Sequence, residues 1–284
     1  MSAGVPELVS GDLAFPEGPR WHDGQLWFSD MHDRLVWRMD ESGARSMVVE
    51  VPAAPSGLGF LPDGRLLVVS MHDRRLLCLD GGELVEVADL SPYATADCND
   101  MVVDSKGRAY VGNFGDSSAP PAPAAPAALV LVEPSGTMRV AAHDLLLPNG
   151  AVITPDGGTL IIAETRAAPP CLTAFDVAAD GSLSRRRVLA RFAAEMPDGI
   201  CLDAEQHVWV ASPFTNEVLR VDPAGSIAGR IPTGDEQPYA CALGGGDGTT
   251  LFLCTARSWR AEETLATRAG AIRRLQVEVP AAGC

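Results

Sequence analysis

Two carboxylates and two carboxamides recur at one phase of this 284-residue chain, and together they could hold a hard cation. They are Glu17, Asn99, Asn149 and Asp198. The same phase continues through Ser56 and Ala240, with intervals of 39, 43, 50, 49 and 42 residues. Each starts a short apolar run, an unusual place for a charged or amide side chain. If the six positions converge on an axis, two like charges meet with no cationic side chain among them. Burying such a pair costs several kcal/mol or forces a proton onto one member, and a bound cation removes the conflict. The donors are all oxygens, with no His or Cys in phase, which suits Ca2+ first, with Mg2+, Mn2+ or Zn2+ as alternatives.

The period decides which elements must position these residues. Repeats of 40 to 50 residues fit four-stranded propeller blades better than shorter solenoid units. A turn residue follows each phase position at a near-constant offset: Gly24 seven residues after Glu17, then Gly64, Gly107, Gly157, Gln206 and Gly248 eight after theirs. Second strands are expected at 25–30, 65–70, 108–113, 159–164, 207–212 and 250–255, and third strands at 35–40, 75–80, 129–134, 171–176, 217–222 and 271–276. Asp40, Asp80, Asp176 and Asp222 end third strands as turn caps. The sixth repeat has no fourth strand of its own, so Glu7 to Asp12 is expected to supply it. The fold expected is all-β: a six-bladed β-propeller of four-stranded antiparallel blades, one domain over 1–284, closed by pairing of the N-terminal strand with the last blade.

In such a meander the phase positions and the loops between second and third strands share one face. His32 and His72 lie there in matched Met-His-Asp-Arg tetrads, and Phe114, Phe214 and Trp259 sit on mouth loops. Glu164 ends a second strand on that face, as a substrate contact or as a partner of Arg166. The longest loops are 116–128, rich in Pro and Ala, and 256–270.

Composition narrows the function classes. A net charge of −15 repels nucleic acid and anionic membrane surfaces, and leaves small molecules and cations as partners. Seven cysteines without a CxxC pair argue against a disulfide framework or a zinc–thiolate site. With no leader-like N-terminus and no long apolar run, the expectation is a cytoplasmic protein, monomeric or weakly dimeric. No GxSxG elbow or phosphate-binding glycine loop is present.

FPEGPRW at 15–21, Asn99-Asp100 followed by DSKGRAYVGNFG at 104–115, LPNG at 147–150 and MPDGICLDAEQHVWVA at 196–211 resemble the SMP-30/gluconolactonase/luciferin-regenerating-enzyme (LRE) family along essentially the whole chain. The resemblance implies a propeller with a divalent metal, often calcium, in its channel, and hydrolysis of lactones or related esters. It places Glu17, Asn149 and Asp198 as metal ligands and Asn99 as a ligand or substrate contact, with Asp198 and Asn99 carrying catalysis. Sugar-lactone members can carry arginine where this chain has Asp97, so Asp97 is a specificity candidate. Two other readings stand beside a metal-dependent lactonase: an arylesterase or phosphotriesterase at the same metal, and a non-catalytic ligand-binding propeller with a structural cation.

Overall fold

The computed structural model describes residues 4–116 and 122–283. Among them the strands form six antiparallel four-stranded sheets. The first blade runs through Pro16–His22, Gln25–Asp30, Leu35–Met39 and Arg45–Glu50, and the next four repeat this meander. In the sixth, Gln237–Gly244, Thr250–Ala256 and Gly270–Gln276 are joined by Glu7–Leu13, which pairs antiparallel with Gly270–Gln276. The ring is closed as expected, with the outermost strand of the last blade drawn from the start of the chain.

Six inner strands surround the axis: Pro16–His22, Pro55–Phe60, Cys98–Val103, Pro148–Ile153, Ile200–Leu202 and Gln237–Gly244. Each contacts the next, and the last contacts the first. The apolar core is divided accordingly into six wedges, one between each pair of adjacent blades. Val36, Leu58 and Val68 join the first two blades. Leu13, Phe28 and Phe252 join the last to the first. Alternation along the strands produces this, because both faces of every blade must be apolar enough to meet a neighbour. Fully buried Tyr110 and Phe28 show how completely the wedges exclude water.

Second and third strands begin and end within two residues of their expected bounds. The turn caps divide. Asp40 accepts the Ser42 and Ala44 N–H groups, and Asp222 accepts those of Ala224 and Ser226. Asp80 instead pairs with Arg65, and Asp176 with Arg185 and Arg187. Within the 256–270 loop, Ala261–Thr267 is helical, where the sequence reading saw only a mouth loop. Its Ala, Glu and Leu content is helix-favouring and Glu262 and Glu263 occupy the first turn, where they complement the helix dipole. The middle of the 116–128 loop lies outside the described residues. The scattered cysteines include one close pair, Cys201 and Cys241, whose Sγ atoms stand 3.7 Å apart across the fifth and sixth blades. No helix among the described residues is long and apolar enough to cross a membrane.

Candidate metal centre and active site

A shared backbone device builds the site. In blades one, two, three, four and six the pairing of inner and second strands is interrupted at the phase position: between Glu17 and Arg20, Pro55 and Leu58, Cys98 and Met101, Pro148 and Ala151, and Pro238 and Ala240. Such bulges re-aim one side chain out of the sheet's alternation. In the fifth blade regular pairing starts only at Ile200, and Asp198 is held by its N–H to the Ala211 carbonyl at 3.0 Å. The residue after the phase position lies against the next inner strand. A Cβ on Gly150 would stand 2.5 Å from the Ile200 nitrogen, so glycine is required for this approach.

The mouth is fixed by a second repeated contact. The backbone two residues before the phase position meets the loop after the second strand: Met31 N to Phe15 O, Met71 N to Ala54 O, Phe114 N to Asp97 O and Thr165 N to Leu147 O, at 2.9 to 3.2 Å. Phase residues and mouth loops therefore share a face.

Glu17, Asn99 and Asn149 are buried, while Asp198 keeps part of its surface open. Glu17 Oε2 accepts the Gly18 N–H at 2.7 Å. Asn149 Nδ2 donates to Thr165 Oγ1 at 3.2 Å, and Thr165 donates on to the Pro197 carbonyl at 2.6 Å. This fixes the amide through its nitrogen and leaves its oxygen for another partner. Asn99 has only long contacts of 3.5 Å, to Ser56 Oγ and the Pro148 carbonyl. Burial, then the Asp198 carboxylate, pushes Glu17 well above the usual carboxylate range. Burial pushes Asp198 up to about 8, against a hydrogen bond from Asn149 and with added repulsion from Asp100. Two carboxylates that resist ionisation together, beside two amides, form a hard-oxygen donor set of the kind calcium takes. Among the described residues no three His, Cys, Asp or Glu side chains are grouped to hold a metal, so a cation here needs the amide oxygens as well.

Sequence reasoning missed Asp100 as a member of this neighbourhood. It is buried, joined to Arg20 at 2.9 Å, and raises both Glu17 and Asp198 through its charge. The signal was present: Gly18, Gly57, Gly150 and Gly199 follow their phase residues, and the third repeat has Asp100 instead. Tyr239 was also missed. It packs on Phe15 at 4.5 Å, and its hydroxyl is raised by burial and by the Asp198 and Glu17 charges.

The other mouth candidates separate. His72 Nδ1 and Asp97 Oδ2 are 2.8 Å apart, both well exposed. His32 is half-buried, stacked on Phe15 at 4.7 Å and 2.6 Å from Thr264 of the loop helix. Burial pushes its imidazole down to about 4, with His72 adding to the effect. Phe114 packs against an apolar collar containing Phe15, Met31, Met71 and Tyr239. Phe214 and Trp259 are exposed on the outer loops. Glu164 corrects the expectation: it is buried, not at the mouth surface, and it binds Arg186 at 2.9 Å, Thr173 Oγ1 and the Leu146 N–H rather than Arg166. Those contacts occupy both oxygens and make it a strut between strands.

Comparison with known proteins finds relatives along nearly the whole chain. Pentonolactonase XacC of Haloferax volcanii is 28% identical, covering 96% of this chain and 94% of its own length. The 6-deoxy-6-sulfogluconolactonase of Pseudomonas putida is 26% identical over 94% of this chain and 92% of its own. A calcium-binding regucalcin structure from Agrobacterium tumefaciens superposes with a TM-score of 0.80 at 21% identity, covering 98% of this chain and 95% of that one. Residues 15–257, which contain Glu17, Asn99, Asn149 and Asp198 and the collar beside them, match the model of the SMP-30/gluconolactonase/LRE-like region, and the chain belongs to that family.

Proposed function

We propose that the chain, acting as one propeller over 1–284, hydrolyses small lactones at a divalent cation, calcium by preference, held by Glu17, Asn99, Asn149 and Asp198. The observation that carries this reading is the pair of carboxylates Glu17 and Asp198, at the same phase of the first and fifth blades and both displaced upward by burial. An enclosed acid pair without a cationic partner of its own is costly, and an oxygen-liganded cation offsets that cost. The names of the two curated relatives supply the substrate class.

When bound, the cation supplies Lewis-acid polarisation of the ester carbonyl and stabilises charge developing on its oxygen. The protein's own groups do the rest. Asn149, anchored through Thr165, and Glu17, anchored by the Gly18 N–H, hold fixed positions around the reacting ester. Asn99, with only long hydrogen bonds, is free to turn its amide towards substrate. An Asp198 carboxylate oxygen takes a proton from the attacking water. As the ring C–O bond breaks, that proton passes to the departing alkoxide, leaving a hydroxy acid. The apolar collar keeps bulk water from the lactone ring, and the His72–Asp97 pair meets its outer substituents.

The test is a pH-stat assay over lactones of graded polarity, with an aryl ester and a phosphotriester beside them. Purified protein is assayed as isolated, after chelation, and after return of Ca2+, Mg2+, Mn2+ or Zn2+. Lactone turnover that disappears on chelation and returns with a divalent ion is expected. Turnover indifferent to chelation, or confined to the aryl ester or phosphotriester, refutes the reading.

A further inference from the structure

The floor of the centre carries an ion pair that spans three blades. Arg20, on the first blade's inner strand, donates from Nη2 to Asp100 Oδ1 at 2.9 Å and to the Met101 carbonyl at 2.6 Å, both on the third blade. Its Nη1 is fixed by the Pro19 carbonyl at 2.8 Å. The second blade lies between, and the pair passes it because Gly57 has no side chain: a Cβ there would stand 2.7 Å from Asp100 Oδ1. Asp100 Oδ1 also accepts the Met101 N–H at 2.8 Å. The Arg20 side chain is 22% exposed and that of Asp100 8%, so solvent screens the pair little.

Asp100 sits beside Asn99, within electrostatic reach of Glu17 and Asp198, yet its Oδ1 is committed to Arg20 and Met101. That oxygen is held away from the donor set. The centre and its floor hold three carboxylates and one guanidinium, a formal charge of minus two. We propose that Arg20 cancels the charge of Asp100, so that the centre keeps the minus two of Glu17 and Asp198 alone, matching it to a divalent cation and holding off a trivalent one of similar size. The inference rests on the metal reading above. A pair that served only as a strap between blades would affect stability but would not rank cations by charge.

Charge variants separate the two roles. Arg20→Met takes the formal charge to minus three, Asp100→Asn takes it to minus one, and the double variant returns it to minus two. Tb3+ luminescence, titrated directly and in competition with Ca2+, gives a Tb3+-over-Ca2+ preference for each protein without any activity measurement. The preference is expected to rise about tenfold in Arg20→Met and to fall about tenfold in Asp100→Asn, as one unit of charge at short range in a partly screened site implies. The double variant should return to within about threefold of wild type. Because the preference is a ratio within one sample, partial unfolding does not create it. If Arg20→Met does not fold, the fall in Asp100→Asn and its reversal in the double variant carry the same test. An unchanged preference, or single and double variants that shift together, overturns the proposal. A wild-type protein that binds neither ion overturns the metal reading itself, and this inference with it.

Discussion

Without a cation, the protein should lose stability as pH rises through neutrality. Asp198 has a folded pKa of about 8 against an ordinary value of 3.8, so between those limits the folded state binds a proton that the unfolded chain releases. The stability it contributes is full below the ordinary value and is lost as pH climbs to about 8. Glu17 acts in the same direction. His32 opposes them at lower pH: its imidazole is pushed from 6.5 to about 4, so folding gains as pH rises between those values and is indifferent above. The informative window is therefore pH 6.5 to 8. One proton over that interval is worth ~2 kcal/mol at about 1.36 kcal/mol per unit, and Glu17 acts in the same direction. For a domain of this size that is a fall in Tm of about 4–8 °C. Thermal melts in chelator from pH 6 to 8.5, repeated with excess Ca2+, measure it. The calcium series should be nearly flat over the same range. Asp198→Asn should have the higher Tm of the two chelated proteins at pH 8, while binding calcium more weakly. A chelated wild type whose Tm holds or rises from pH 6.5 to 8 would refute the claim that these carboxylates confront each other in the channel.

Three further perturbations test the rest of the structure. Removing residues 1–13 strips the outer strand from Gly270–Gln276 and should lower Tm by ten degrees or more in a melt, on the order of several kcal/mol of lost pairing and burial of Leu13. Arg186→Met should destabilise by about 2–3 kcal/mol in urea titration, discounted because the guanidinium is partly exposed while Glu164 is left buried, and calcium affinity should not change. Asp97→Arg should reorder specificity constants across a lactone panel in favour of polyhydroxylated rings, since a guanidinium offers several donors in a fixed fork and His72 loses its acidic partner.

Blade number, strand bounds, ring closure and the convergence of phase residues were legible because they follow from period and alternation. The 40- to 50-residue repeat survives even where the phase residue is Ser56 or Ala240, since the strands around it still need apolar faces. What was not legible depends on contacts between distant strands. Glu164 ends its strand in register with Asp30 and Ser70, yet only the fold reveals that Arg186, 22 residues on, turns it into a buried strut. Asp80 and Asp176 read as caps from their place before a turn. Arg65, just before the second strand of its blade, and Arg187, on the strand alongside, claim them instead. The loop helix carries a weak local signal, and seven residues do not make a stable helix alone. Its observed contact at the mouth is Thr264 against His32, across 232 residues of sequence.

The same bulge recurs in five blades, although only Glu17, Asn99 and Asn149 among those positions offer a cation an acid or an amide. The scaffold therefore aims these five blades at the axis alike, and side-chain identity decides which of them present an oxygen donor there. That division tells substitutions apart by their consequences. A change of phase side chain, such as Glu17→Gln, alters charge and leaves the backbone in place. A change at the next residue alters the approach of two blades. Gly150 lies between Asn149 and the fifth blade, and its N–H donates to the Asp198 carbonyl at 3.2 Å. Gly150→Ala places a methyl group 2.5 Å from the Ile200 nitrogen, so Asn149 and Asp198 must move apart together. It should lower Tm and calcium affinity at once, although it alters no oxygen-bearing side chain and no charge. Glu17→Gln should lower calcium affinity while raising the Tm of the chelated protein at pH 8. Chelated melts of the two variants should thus move in opposite directions from wild type. A Gly150→Ala protein with wild-type Tm and calcium affinity would show that the close approach of neighbouring inner strands does not position Asn149 and Asp198.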